Sequence, residues 1–303
     1  MLRYAATGDV GLDSDALVVD AATPVHLLKG VLSGVSGLAI GADVAPAGVR
    51  SLLEAAGGAG VGHVVLVSSA VVYGAWPDNP VPLSEDAPLR PNPGFQFAAE
   101  RAEAERLALD WRDAHPGSTV AVLRPTVVLR GGGAAASAFD MALSGTAGLR
   151  PREASRPMQF LAGSDLASAA QVALDKALDG PFNVAPDGWV PDETARALAG
   201  GPARFPVPER LARVLRAVGG SRTWPGLDPY TRQPWVVAND RLKAAGWTPS
   251  QSNEEAFVDL AGSRWPELSP KRRQEVALAG SAGVLAGVVA LVVWLVRRSR
   301  RPL

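Results

Sequence analysis

Along the first 185 residues, short apolar runs rich in β-branched side chains recur between segments whose apolar positions repeat at helical spacing. DALVVDAA (15–22), GLAIGAD (37–43), HVVLVSS (63–69), TVAVLRPTVV (119–128) and GPFNVA (180–185) lack clean polar alternation. That pattern predicts strands of a parallel sheet covered on both faces. VRSLLEAAGGAG (49–60), closing on glycines, FAAERAEAERLALDWRDAH (97–115) and SDLASAAQVALDKAL (164–178) predict helices, the last with Ser164 as its N-cap. Strand–helix alternation with right-handed crossovers gives a doubly wound α/β domain, whose ligand site lies beyond the carboxyl ends of the strands. Residues 186–268 are richer in Pro, Trp and Gly and lose the alternation, as a smaller cap does. The chain shows no internal repeat.

A different pattern closes the sequence. Val276 to Val296 is 21 residues without a charge, roughly 31 Å as a helix at about 1.5 Å per residue, enough to span a bilayer. Trp294 beside the following arginines fits an interfacial anchor. Gly283 and Gly287 form a GxxxG spacing through which two copies could pair into a homodimer. The N-terminal MLRYAATGDVGLD has no basic-then-apolar signal pattern, so the expected arrangement is a single-pass membrane protein with its body in the cytoplasm. The expected division is a nucleotide-binding domain over 1–185, a cap over 186–268, a membrane helix over 276–296 and a basic tail over 297–303.

Charge and composition narrow the chemistry. The formal net charge of zero hides seven Lys/Arg and one acid within 271–303, which leaves the body near −6 and the tail at +6. An acidic body lacks the footprint of a nucleic-acid binder, while a basic tail suits anionic headgroups. With no cysteine there is neither a disulfide nor a thiolate site. His26, His63 and His115 lie too far apart in sequence to predict a metal centre.

Several pieces in fixed order resemble the NAD-dependent epimerase/dehydratase family, the extended branch of the short-chain dehydrogenases. VVLVSSAVVYG (64–74) resembles the family's strand ending in the active-site serine, here Ser69, four before Tyr73. FAAERAEAERL occupies the place of the Tyr-x-x-x-Lys helix, and VLRPTVV (122–128) resembles the strand whose end, at Pro125, lies by the nicotinamide. MQFLAGSDLASAAQVAL (158–174), GPFNVAPDG (180–188) and AAGWTPSQSNEEAF (244–257) match later segments. The resemblance implies a Rossmann-like fold, NAD or NADP as cofactor and a nucleotide-sugar or similar polar substrate.

Two departures shape the functional expectation. The family's tyrosine falls on Phe97 and its lysine on Arg101, one helical turn apart and on one face. In the family the phenol exchanges a proton with a sugar hydroxyl, and the ammonium lowers its pKa from about 10 toward neutrality. Phe97 has no such proton, whereas Arg101 keeps a positive charge and can donate to ribose hydroxyls with a differently shaped group. The catalytic positions implied are therefore Ser69, Phe97 and Arg101, with a catalytically silent dinucleotide-binding or scaffold relative as the alternative. Phe97 as helix packing with Arg101 as a solvated partner of Glu105, and Tyr73 as a substitute proton donor, also remain open.

The second departure is near the start. ATGDVGLDSDAL offers Gly8 and Gly11 but Ser14 where the family's glycine-rich turn has its third glycine. TGDVGLDSDALVVDAATP then fits the family's third and fourth strands. This implies a sheet lacking its first βαβ portion, either by a downstream start or by genuine loss. On that register Asp9 and Val10 lie near adenine, and Ala21, Ala22 and Thr23 near the cofactor's phosphate and ribose.

Overall fold

The computed structural model describes residues 4–8, 10, 16–129, 156–191, 194 and 226–264. Among them a six-stranded, all-parallel sheet forms the centre, built from β1 (Tyr4–Thr7), β2 (Leu17–Val18), β3 (Gly37–Ile40), β4 (His63–Val67), β5 (Thr119–Pro125) and β9 (Gly180–Val184). The spatial order is β2-β1-β3-β4-β5-β9. Strands with apolar residues on both sides need two covers. Leu38, Ile40, Val64, Leu66, Val120 and Val122 pack with α1 (Val25–Val31), α2 (Pro46–Ala59) and α3 (Gln96–Ala114). Ala39, Val65, Val67, Ala121 and Leu123 pack on the opposite face with Leu166, Ala169, Ala170 and Ala173 of α4 (Gly163–Asp175). The α/β layered architecture is thus as the pattern predicts.

Local chemistry sets the helix ends. Pro46 opens α2, where the missing N–H costs nothing, and Gly60 closes it at φ 75°, a left-handed conformation suited to glycine. The fourth helix begins at Gly163 and its N-cap is Ala162, so Ser164 lies inside the first turn and does not cap. Leu17–Val18 is a two-residue edge strand with Val18 85% exposed, so the run at 15–22 is not a buried strand: one side of an edge has no neighbour.

The sheet corrects the expected start of the fold. Tyr4–Thr7 pairs with both Leu17–Val18 and Gly37–Ile40, which places it centrally, where a doubly wound sheet holds its first strand. The first strand is therefore present. The strand that follows it lies one place outward, and the chain returns across it to Gly37–Ile40.

A third apolar cluster joins the cap to the sheet's carboxyl end. It contains Val71 and Tyr73 from a 3-10 turn (Ala70–Tyr73), Phe95, Phe160, Tyr230, Trp235 and Phe257. The cluster draws on residues 70–95 and 156–162 as well as 226–257. β6 (Val127–Leu129) pairs with β8 (Phe160–Ala162), and β7 (Pro157–Met158) with β10 (Val190–Pro191). Val276–Val296 lies outside the described residues; among those described, no helix is long and apolar enough to cross a membrane.

Candidate functional site

The chain runs from β1 outward to β2 and then back to β3 on the other side, so the strand order reverses between β1 and β3. In sheets of this kind the ligand crevice lies outside the carboxyl ends at that reversal. Gly8 follows β1 there, and the Gly41 amide donates to the Thr7 carbonyl at 2.8 Å, tying the β1 and β3 ends together. The loop 41–45 after β3, the end of β4, the start of α3 and the end of β5 all open toward the same side.

Arg101 is 1% exposed on the inner face of α3. Its Nη2 donates to the Val44 carbonyl at 2.6 Å. Its Nε and Nη1 are buried without a hydrogen-bond partner. Burial pushes the guanidinium below its ordinary value, opposed by the charges of Glu100, Asp43 and Glu105. It is not a solvated surface charge, and Glu105 is not its ion-pair partner: Glu105 pairs with Arg124 at 2.7 Å and accepts from Ser68 at 2.5 Å. The Phe97 ring lies 5.7 Å from the Arg101 guanidinium carbon, so the pair does share one face. Phe97 is half-buried against the cluster that includes the turn after Ser69. The ring packs against that cluster, with its centroid 6.2 Å from that of Phe95.

Ser69 caps that turn, its Oγ accepting from the Val71 amide at 3.4 Å. Its hydroxyl proton has no acceptor among the described residues, which leaves it able to donate to a ligand. Pro125 is buried at the end of β5. Next to it the Thr126 Oγ1 is buried and unpartnered, and Thr126 lines a small cavity with buried Arg156, Gln159 and Trp235. Thr126 and Arg156 were not singled out by the sequence; a hydroxyl beside the Pro125 strand end was the available signal.

The remaining sequence-derived positions are dispersed. Asp9 lies outside the described residues. The Val10 side chain is in the apolar cluster with Ala39, Val65 and Leu123. Ala21, Ala22 and Thr23 form the turn after the edge strand, where Ala22 and Thr23 donate to the Asp20 side chain and carbonyl. That turn is one strand out from the reversal. The loop beside the reversal is 41–45, and the acid closing the outer strand is Asp20. Both DALVVDAA and GLAIGAD are apolar runs carrying an acid at or near their end, and only strand pairing tells which lies at the sheet edge and which lies between β1 and β4.

A substitute phenol is also excluded by position. The chain has three tyrosines. Tyr73 is fully buried, donates to Asn183 Oδ1 at 2.8 Å and accepts from Arg124 Nη1 at 2.7 Å. Burial pushes its phenol up to about 12. Tyr230 donates to the Val71 carbonyl at 2.7 Å, and burial raises its pKa as well. Tyr4 sits at the amino end of β1, away from the crevice, on Asp175.

The fold has close counterparts among solved structures. A dTDP-glucose 4,6-dehydratase of Bacillus anthracis, in complex with NAD, superposes with a TM-score of 0.63 at 14% identity, over 88% of this chain and 97% of that one. A Thermus thermophilus UDP-glucose 4-epimerase complexed with NAD gives 0.62 at 18% identity, over 88% and 100%. A Bacillus cereus UDP-N-acetylglucosamine 4-epimerase gives 0.61 at 13%, over 86% and 98%. No curated protein matches the chain. The model of the NAD dependent epimerase/dehydratase family matches residues 25–185. That stretch holds α3 with Phe97 and Arg101, the Ser69 turn and the β5 end, and the chain belongs to the NAD dependent epimerase/dehydratase family.

Proposed function

We propose that this protein binds NAD or NADP in the crevice at the β1/β3 reversal and acts on a nucleotide-sugar or similar polar molecule. The observation that carries the reading is Arg101. A buried guanidinium with two unused donors is costly to keep, by several kcal/mol, and that cost is recovered when ligand oxygens fill the vacant hydrogen bonds. Ribose hydroxyls and phosphate oxygens have the acceptor chemistry these donors require. The residues present therefore fit the ribose–phosphate side of a dinucleotide. A bound nicotinamide supplies hydride transfer. Arg101 holds and orients, Ser69 donates a hydroxyl proton in a hydrogen bond, and Thr126 offers a second unpaired hydroxyl on the cap side. The nucleotide-sugar enzymes that share the fold support this substrate class.

Phe97 and the placement of the three tyrosines favour a second reading, in which ligands bind without turnover. The two are separated by incubating the protein with UDP-glucose and NAD and following both sugar composition and nicotinamide reduction. Turnover by the wild type supports the enzyme; none by the wild type together with turnover by Phe97→Tyr supports a silent binder. A membrane-tethered arrangement is supported by the uncharged 276–296 run with its basic flank. Retention in membranes through alkaline carbonate extraction is the result expected for it, and release would count against it.

A further inference from the structure

We propose that the Asp43 carboxylate guards the phosphate-accepting end of the crevice and weakens dinucleotide binding, an inference that rests on the dinucleotide reading above. Asp43 stands on the loop 41–45 beside the β1/β3 reversal and is exposed. Gly8, the residue after β1, has φ +72°, and a Cβ built on it would lie 2.8 Å from Asp43 Cγ and 3.0 Å from Oδ2. The Asp43 side chain therefore lies over the Gly8 backbone, in space that only a glycine leaves open.

Backbone at this strand end is where doubly wound sheets let anionic groups approach most closely. Here a negative charge already covers it. The same loop also presents the Val44 carbonyl that anchors Arg101. A buried cation from α3 and an exposed anion from the loop 41–45 thus meet the ligand side by side: Arg101 draws its oxygens in, and Asp43 opposes its phosphate charge. Entry of the phosphates requires the Asp43 side chain to leave the Gly8 backbone. Asp43 accordingly sets the affinity without touching the hydride-transfer end.

The test is a titration of the full chain in detergent with NADH, read by energy transfer from its tryptophans to the reduced nicotinamide. Asp43→Asn keeps the size and removes the charge, Asp43→Glu keeps the charge, and Asp43→Ser serves the comparison should the amide variant fail to fold. We expect Asp43→Asn and Asp43→Ser to bind NADH about tenfold tighter than the wild type, while Asp43→Glu does not. Equal affinity in the wild type and both neutral variants overturns the guard and leaves the dinucleotide reading standing. Failure of every form to bind NADH removes both.

Discussion

Arg101 and Arg124 are both buried arginines, yet their surroundings differ in kind. Arg124 is met by Glu105, the Tyr73 hydroxyl and the Glu85 carbonyl, and its donors are fully used. Arg101 has one carbonyl partner and two empty donors. Breaking the first should cost ~3–5 kcal/mol, because Glu105 is left charged in a dry site. Removing the second deletes a buried guanidinium with two unfilled donors, met by the Val44 carbonyl and the nearby charges of Glu100, Asp43 and Glu105. Arg124→Met is therefore expected to lower the urea midpoint strongly, and Arg101→Met to leave it unchanged or raise it. A large loss in Arg101→Met would mark Arg101 as structural. Phe97 makes the complementary point, since one oxygen atom separates it from a phenol. If the crevice still binds substrate productively, Phe97→Tyr should raise turnover on the order of 10²-fold, the low end of acid–base assistance. No change in turnover would mean that the ring does not face the reacting atoms.

The strands β3, β4 and β5 and the helices around them are legible because each obeys a local rule: apolar runs of strand length, apolar positions at helical spacing or a glycine at a helix end. The pattern did not mark Pro46, which opens α2 three residues before the expected 49. The helix carrying Phe97 and Arg101 was legible for the same reason. Strand order was not, since DALVVDAA and GLAIGAD look alike locally and only backbone pairing places one at the edge and the other between β1 and β4. That ambiguity put the expected cofactor loop at 21–23, one strand out from the reversal, whereas the loop that follows the strand between β1 and β4 is 41–45. The polar seam between α3, β5 and the 3-10 turn is likewise long-range, since Tyr73, Glu105, Arg124 and Asn183 meet only in three dimensions. Its titration gives a pH signature. With Tyr73 raised to about 12 in the fold and near 10 unfolded, the seam's stability is complete below pH ~10 and is lost as pH climbs toward ~12, by roughly 2–3 kcal/mol. Wild-type stability should fall more steeply than that of Tyr73→Phe across this window. Parallel curves would show that the phenol does not resist ionisation.

Taken as a molecule, the chain carries the family's fold with Phe97 and the buried Arg101 one turn apart on α3. By resemblance, the sequence set Phe97 and Arg101 in the register of the family's Tyr-x-x-x-Lys helix. It could not show that Arg101 is buried with two vacant donors, nor that Asp43 lies against Gly8, because both follow from how separate strand ends converge. The central claim is that Arg101 is kept in a dry, under-bonded position to hold a nicotinamide dinucleotide. The most direct test is to titrate the full chain and its Arg101→Met variant with NADH, with folding of both checked by circular dichroism. The account predicts saturable binding by the wild type and a loss of about tenfold or more in the folded variant. Equal affinity in the two proteins would contradict it.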